Sequence, residues 1–225
     1  MRLVDKRVLL TGASKGIGLS LARLLLDRGC FVTALSRTAM PFSHDRLSET
    51  VLDVSDAASV RAAIGGCKGP VDIVINNAGV MHRGGLLQID EKAFDDLFDI
   101  NVRGSWLVLK YAQPLLAPRA TIVQMSSRHA LHPPLNPAVY GLTKHCALAL
   151  AQAFAAAYPQ HRVTILCPGP VDTDLARKDV SPEDFERKRK IMCSPDELAG
   201  QVVETLESER GWLVFNPDTA KHEMR

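Results

Sequence analysis

Twelve residues near the start of the chain, Arg7-Val8-Leu9-Leu10-Thr11-Gly12-Ala13-Ser14-Lys15-Gly16-Ile17-Gly18, restrict the fold more than any other stretch. A short apolar, β-prone run enters a turn with three glycines. A helical pattern leaves it, with Ile17, Leu21, Leu24 and Leu25 on one face. Gly29 follows the last turn, where glycine commonly closes a helix. Strand, glycine turn and helix N-terminus together make a site for a diphosphate, because backbone N–H groups point at the anion and the helix dipole adds positive charge. A Cβ in such a turn would block close approach or forbid its dihedral angles. The spacing is G-x-x-x-G-x-G, not the G-x-G-x-x-G of the commonest dinucleotide fingerprint. Gly12-Ala13-Ser14-Lys15-Gly16 also fits the G-x-S-x-G elbow of serine hydrolases, and any tight strand-to-helix turn wants glycine. Residues further along the chain decide among these readings.

At 225 residues the chain suits one domain with a large core better than two, so residues 1–225 are read as a single domain. Aromatic residues are only 5% of a chain that is 46% hydrophobic, so the core rests on Ala, Val, Leu and Ile. The net charge of +2 comes without a long run of either sign. The densest basic cluster, Glu186-Arg187-Lys188-Arg189-Lys190, follows Glu183 and Asp184 and reads as a solvated helix face, so no nucleic acid is expected. The five cysteines (Cys30, Cys67, Cys146, Cys167, Cys193) are odd in number and form no C-x-x-C, which suggests a reducing compartment without disulfides. The seven histidines lack ligand spacing, so no metal is expected. No apolar run approaches a membrane span, and the first strand begins too early to leave room for a signal peptide. A cytoplasmic enzyme or binding protein is the expectation.

Strand-like runs at 7–11, 31–35, 49–52, 71–76, 120–125, 162–167 and 212–215 alternate with helical patterns at 16–28, 56–64, 92–116, 139–158 and 195–207. Several strands are apolar throughout, as strands buried on both faces of a parallel sheet are. Gly65-Gly66 ends the second helix, and Ser194-Pro195-Asp196-Glu197 opens the last with a capping box. The alternation predicts an α/β fold with a single Rossmann-type, doubly wound parallel sheet of about seven strands flanked by helices. A ligand then sits beyond the carboxyl ends of the strands, near the switch point.

The second strand ends Ala34-Leu35-Ser36-Arg37. An acid here would accept hydrogen bonds from an adenosine ribose; Ser36 and Arg37 instead suit a phosphomonoester, and Lys15 adds a second cation. Both cations argue for NADP(H) over NAD(H). Asp53, followed by Val54, is read as a partner for the adenine amino group or as a cap for the next helix. Asn76-Asn77-Ala78-Gly79 supplies small and amide residues where a cofactor passes close to the backbone.

The fifth strand ends Met125-Ser126-Ser127, and thirteen positions after Ser127 comes Tyr140-Gly141-Leu142-Thr143-Lys144. Positions i and i+4 of a helix share a face, so Tyr140 and Lys144 can both point into the cleft. A phenol titrates near 10 in water, and a fixed ammonium beside it is expected to lower that value toward the range useful for general acid–base work. Ser127 would hold the substrate oxygen while Tyr140 passes or accepts its proton, the hydride being the cofactor's.

With these motifs in place the chain resembles, over essentially its whole length, a classical short-chain dehydrogenase/reductase. The matching pieces are Thr11 to Gly18, Leu52-Asp53-Val54, Asn76 to Gly79, Asn101, Ser127, Tyr140 with Lys144, and Cys167-Pro168-Gly169-Pro170-Val171-Asp172-Thr173. The resemblance implies an NADP(H)-dependent oxidoreductase of a carbonyl and a secondary alcohol, with Ser127, Tyr140, Lys144 and Asn101 as its proton relay. Asn101 would hold a water linking the lysine to solvent, and Lys144 would also bind the nicotinamide ribose. The cofactor is expected against Gly12, Ser14, Lys15, Gly16, Ile17, Gly18, Ser36, Arg37, Asp53, Val54, Asn77, Ala78, Gly79, Tyr140 and Lys144, with Pro168, Gly169, Val171 and Thr173 on its nicotinamide side.

Two regions depart from the family pattern. The substrate-side segment, roughly 173–195, is short and highly charged (Arg177-Lys178-Asp179 through Lys190). The end, Gly211-Trp212-Leu213-Val214-Phe215-Asn216-Pro217, lacks the glycine-rich finish of tetrameric members, so a homodimer paired through the helices at 92–116 and 139–158 is expected ahead of a tetramer. Ala147, Ala151 and Ala155 permit close helix approach, though such a stripe is as readily plain core. Met81, His82, Arg83, Arg128, His129, His132, Leu135, Asn136 and Leu175 are expected near the substrate, and Arg128 is read as a solvated loop residue ahead of an anion anchor. The carbonyl's identity stays open. A non-catalytic NADP(H) sensor on the same fold is the alternative, and a Ser14 hydrolase is set aside because no Asp/His pair is placed by spacing.

Overall fold

Along the first strand, β1 (Arg7–Thr11), side chains alternate between two separate cores: Val8 and Leu10 join one, Leu9 the other. This period of two requires a cover on each face of the sheet. In the computed structural model, which describes residues 1–178, 180–208, 212–216, 219 and 221–224, the chain continues through α1 (Gly16–Asp27), β2 (Phe31–Ser36), β3 (Leu47–Val51), α2 (Ala57–Gly65) and β4 (Val71–Asn76). Then come α3 (Glu91–Phe98), a π-helical segment (Asp99–Gly104), α4 (Ser105–Ala112), a 3₁₀ turn (Gln113–Leu115) and β5 (Leu116–Met125). The last part runs α5 (Arg128–Leu131), α6 (Ala138–Ala157), β6 (Arg162–Cys167), α7 (Asp174–Arg177), α8 (Pro182–Arg189), α9 (Pro195–Ser208), β7 (Leu213–Asn216) and β8 (Lys221–Met224).

All eight strands form one sheet in the order β3-β2-β1-β4-β5-β6-β7-β8. Every pairing is parallel except β7 with β8, so the expected seven parallel strands gain an antiparallel eighth. Leu21 and Leu25 of α1 and Leu198, Val202 and Leu206 of α9 cover the face that carries Val8, Leu10, Ile73 and Ile75. Val60 and Ile64 of α2, Leu107 and Val108 of α4 and Phe154 of α6 cover the face that carries Leu9, Val74 and Ile122. Ala147 and Ala151 of α6 are fully buried inside this chain, so that part of the alanine stripe is core.

Several boundaries differ from the sequence expectation. β3 occupies Leu47–Val51 rather than 49–52; it is an edge strand with an exposed run, which leaves no burial pattern to read. β5 starts at Leu116 rather than 120, because Val71 pairs with Leu116 before the register shifts. The single helix expected over 92–116 is α3, π-helix, α4 and 3₁₀ turn in succession. The π-turn coincides with Asn101, whose amide is used outside the helix, and such bulges recur at functional positions. β7 begins at Leu213 rather than 212, and Gly211, Pro217 and Asp179 lie outside the described residues. Among the described residues no helix is long and apolar enough to cross a membrane.

The switch point falls between β1 and β4, adjacent strands whose chains leave in opposite directions. Thr11 ties the two together. Its hydroxyl accepts from the backbone N–H of Asn77 and of Ala78, both at 3.0 Å, and the Asn77 amide donates back to the carbonyls of Thr11 (3.0 Å) and Gly12 (3.2 Å).

Candidate active site

A cleft of about 1240 Å³ opens beyond the carboxyl ends of the strands. One wall is the turn from β1 to α1. Gly12 holds a φ of +68°, and a Cβ on Gly18 would fall 2.0 Å from the Gly12 carbonyl oxygen, so the turn tolerates no side chain there. Lys15 stands at the N-cap of α1 with extended backbone and no side-chain hydrogen bond to the helix. The first-turn N–H groups are therefore uncapped where Ser14, Lys15, Gly16, Ile17 and Gly18 line the cleft. Ser14 accepts a 2.8 Å hydrogen bond from Thr38, which ties the turn to the end of β2. Ser36 is buried with its hydroxyl on the Thr38 carbonyl at 2.9 Å, whereas Arg37 is exposed at the cleft rim, as is Lys15. Among the described residues neither cation forms an ion pair at contact distance, although Arg37 is near enough to Asp96 to lower its pKa. An uncapped helix start, a turn whose Gly12, Gly16 and Gly18 present no Cβ, and two exposed cations fit a diphosphate with a further phosphate.

Asp53 does not line the cleft. Its carboxylate accepts from the Ser55 N–H (2.9 Å) and hydroxyl (2.7 Å), and α2 is capped by Asp56 instead. Val54, Asn77, Ala78 and Gly79 do line it. Across the cleft, Thr173 caps α7, and its Cγ2 lies 3.2 Å from where a Gly16 Cβ would stand. Pro168, Gly169 and Val171 complete that wall.

The reacting groups meet at the other end. Ser127 ends the β5 segment and caps α5, its hydroxyl accepting from the His129 N–H at 3.1 Å. Tyr140 and Lys144 stand one turn apart on α6, both facing the cleft and both nearly buried. The Lys144 Nζ donates to the Met125 carbonyl at 3.2 Å. Asn101 stays behind the cleft wall: its Oδ1 accepts from the Val80 N–H at 2.8 Å, and its Nδ2 donates to the Val80 carbonyl and the Thr143 hydroxyl, both at 3.0 Å. A Cβ on Gly79 would meet both the Asn101 Oδ1 and the Lys144 Nζ at 3.2 Å, so both groups face one point on the cleft floor.

Electrostatics here differ from the sequence expectation. Burial pushes the Tyr140 phenol up to about 12, with the Ser127 hydroxyl working in the opposite direction, and burial pushes the Lys144 ammonium down to about 8. The ammonium is 5.7 Å from the phenol ring centroid, and the cost of burying either charge sets the direction of both shifts. The protein alone therefore favours a neutral phenol.

Of the residues expected near the substrate, Met81, His82, Arg83, Arg128, His129, Asn136 and Leu175 line the cleft. His132 and Leu135 do not, and Leu135 is 94% exposed. Lys188, Ile191 and Met192 were not singled out from sequence and also line it. Their spacing at the end of a charged helix was the available signal, but the surrounding basic run hid it. Thr11, quoted only as part of a motif, is the hydrogen-bond hub of the switch point.

The family model for short chain dehydrogenases matches residues 6–184. Among curated proteins, the oxidoreductase UcpA of Escherichia coli (strain K12) is 36% identical over 205 residues, 82% of this chain and 78% of that protein. A 2-keto-3-deoxy-L-fuconate dehydrogenase of Xanthomonas campestris pv. campestris is 35% identical over 182 residues, 76% of this chain; the chain spans 60% of that relative's length. Among solved structures, the ligand-free aldohexose dehydrogenase of Thermoplasma acidophilum has a TM-score of 0.82 at 28% identity, over 89% of this chain and 86% of that one.

Proposed function

The chain belongs to the short-chain dehydrogenase family, and on that premise we propose that it interconverts a carbonyl and a secondary alcohol with NADP(H), using Ser127, Tyr140, Lys144 and Asn101. The observation that carries this reading is the meeting of Ser127, Tyr140 and Lys144 in the same cleft as an uncapped, glycine-rich helix N-terminus. A bound nicotinamide dinucleotide would supply the hydride donor or acceptor. Its diphosphate would lie at the N–H groups of Gly16, Ile17 and Gly18, with Arg37 and Lys15 available to an adenosine 2′-phosphate and no carboxylate at Ser36 to repel it.

Ser127 holds the substrate oxygen by hydrogen bond. Tyr140, kept protonated by its burial, gives its proton to the oxygen as the carbonyl is reduced and takes one back when the alcohol is oxidised. Lys144, with a pKa brought down to about 8, is poised to return that proton near neutral pH. Asn101 supports it through the Gly79 backbone side of the site, where an ordered water would complete the path to solvent. The names of the relatives carry an acidic sugar in one case and a neutral sugar in another, so they leave substrate charge open. A homodimer through α4 and α6, which expose Trp106 and Leu142, is the assembly this reading carries, and sedimentation velocity tests it.

Absorbance at the reduced-nicotinamide band, followed over a panel of sugars, sugar acids, ketones and aldehydes with NADPH and with NADH, tests the reading. Consumption of NADPH ahead of NADH with at least one carbonyl is expected. Binding of neither nucleotide would overturn it.

A further inference from the structure

The oxidoreductase reading above leaves the charge of the substrate undecided, and the following step rests on that reading. Three cations reach the substrate side of the cleft from three separate segments: Arg83 after β4, Arg128 directly after Ser127, and Lys188 on α8. They are close enough to act on one another, since Arg83 and Arg128 both push the Lys188 ammonium's pKa down. All three bear on His129, which burial and then these charges bring down to about 4, so it adds no positive charge at neutral pH.

Three of the acids nearby are already engaged, and Asp174, which also lines the cleft, is exposed and forms no ion pair among the described residues. Asp172 is paired with Arg177 at 2.7 Å, Asp184 with Arg187 at 2.6 Å and Glu186 with Arg189 at 3.5 Å. Thus α8 pairs its two arginines with its own acids, and of its basic residues Lys188 is the one that lines the cleft. Asp184 draws on Lys188 as well, but it is shared with Arg187.

Arg128 is the member whose guanidinium is not committed to a hydrogen bond or ion pair among the described residues. It is half-buried, and among the described residues its guanidinium has no carboxylate partner. Its backbone N–H donates to the Pro168 carbonyl at 2.9 Å, and its guanidinium carbon lies 5.9 Å from the Phe215 ring centroid. Arg83 is steadied by the carbonyls of Lys178 (3.0 Å) and Ala176 (3.3 Å). A guanidinium partly withdrawn from water without a counter-charge is costly unless a ligand supplies one, and its planar fork matches a carboxylate.

We propose that the substrate is a hydroxy or oxo acid whose carboxylate is bound by Arg128, with Arg83 and Lys188 adding to the field, while its reacting carbon lies at Ser127 and Tyr140. Arg128 is then the residue that sets specificity for acids. The test is calorimetry on the full chain saturated with NADP(H), titrated with hydroxy and oxo acids of three to six carbons, each beside its own primary amide and its phosphorylated counterpart. At least one acid is expected to bind 10- to 100-fold more tightly than its amide. In Arg128→Gln that ratio collapses toward one, and Arg128→Lys retains part of it. Acids and amides binding alike in the wild type, a phosphorylated compound outbinding every acid, or an unchanged ratio in Arg128→Gln would each overturn the proposal. In any of those cases, continued consumption of NADPH with a carbonyl leaves the oxidoreductase reading standing, whereas failure of NADPH itself to bind overturns both.

Discussion

The Lys144 ammonium stands 5.7 Å from the centre of the Tyr140 ring, one helical turn away, and gives its hydrogen bond to the Met125 carbonyl rather than to the phenol. The pair is thus held near but not in contact, and burial drives the two groups toward neutrality from opposite sides, Tyr140 up to about 12 and Lys144 down to about 8. A buried neutral phenol is a proton donor in waiting. To act as a base it needs additional positive charge beside it, which is what an oxidised nicotinamide carries.

That asymmetry has a sign. Carbonyl reduction needs Tyr140 protonated, a state kept across the neutral range, so its rate is expected to stay level from about pH 6 to 8. Alcohol oxidation needs the phenolate, so kcat/KM for oxidation is expected to rise with pH toward 10. Steady-state pH profiles in both directions check this, and an oxidation profile that falls above neutrality would contradict it.

Removing the guanidinium at Arg37 tests cofactor choice. Arg37→Ala takes away one exposed cation that forms no hydrogen bond or ion pair at contact distance among the described residues, so the fold is expected to be kept. The dissociation constant for NADPH, followed by its fluorescence, is expected to rise about 10-fold or more, while that for NADH stays within about twofold.

Thr11 offers a test of the switch point. Thr11→Val keeps the shape and removes the acceptor for the N–H groups of Asn77 and Ala78. Buried donors left without a partner cost about 1–3 kcal/mol each at most, so chemical denaturation is expected to show a loss of that order. Thr11→Ser, which keeps the oxygen, is expected to recover most of it.

His129 gives a dependence of stability on acid. Its imidazole is ordinarily half-protonated at 6.5, but in the fold it resists protonation down to about 4, chiefly through burial and then through Arg128, Lys188 and Arg83. Between those values the unfolded chain binds a proton that the fold refuses, so stability falls as pH drops from 6.5 toward 4. Melting temperatures over that range are expected to decline less steeply in His129→Gln. Burial also lowers the pKa of His161 and His222, so a residual slope remains.

Much of this molecule is legible in its sequence. The apolar runs of β1, β4 and β6 have nowhere to go but the middle of a parallel sheet, and the glycines of the first turn and the Tyr140–Lys144 spacing are local signals. What sequence could not show depends on distant partners. Asp53 reads equally as an adenine contact or a helix cap; in the structure its Oδ1 accepts from Ser55, and Asp56 is the residue that caps α2. The break at Asn101 in the expected long helix arises from hydrogen bonds to Val80, twenty-one positions away in sequence. Arg128 read as a solvated loop residue because nothing local tells a half-buried guanidinium from an exposed one. Lys188 was concealed in a basic run whose arginines do face solvent.

The central claim, that the Tyr140 hydroxyl carries the proton in a carbonyl–alcohol reaction, is tested most directly by Tyr140→Phe, with turnover and NADPH binding measured on the same preparation. The account predicts a loss of at least about 100-fold in kcat, with NADPH affinity within about threefold of the wild type. Turnover at the wild-type rate in a variant that lacks the phenol oxygen would contradict it.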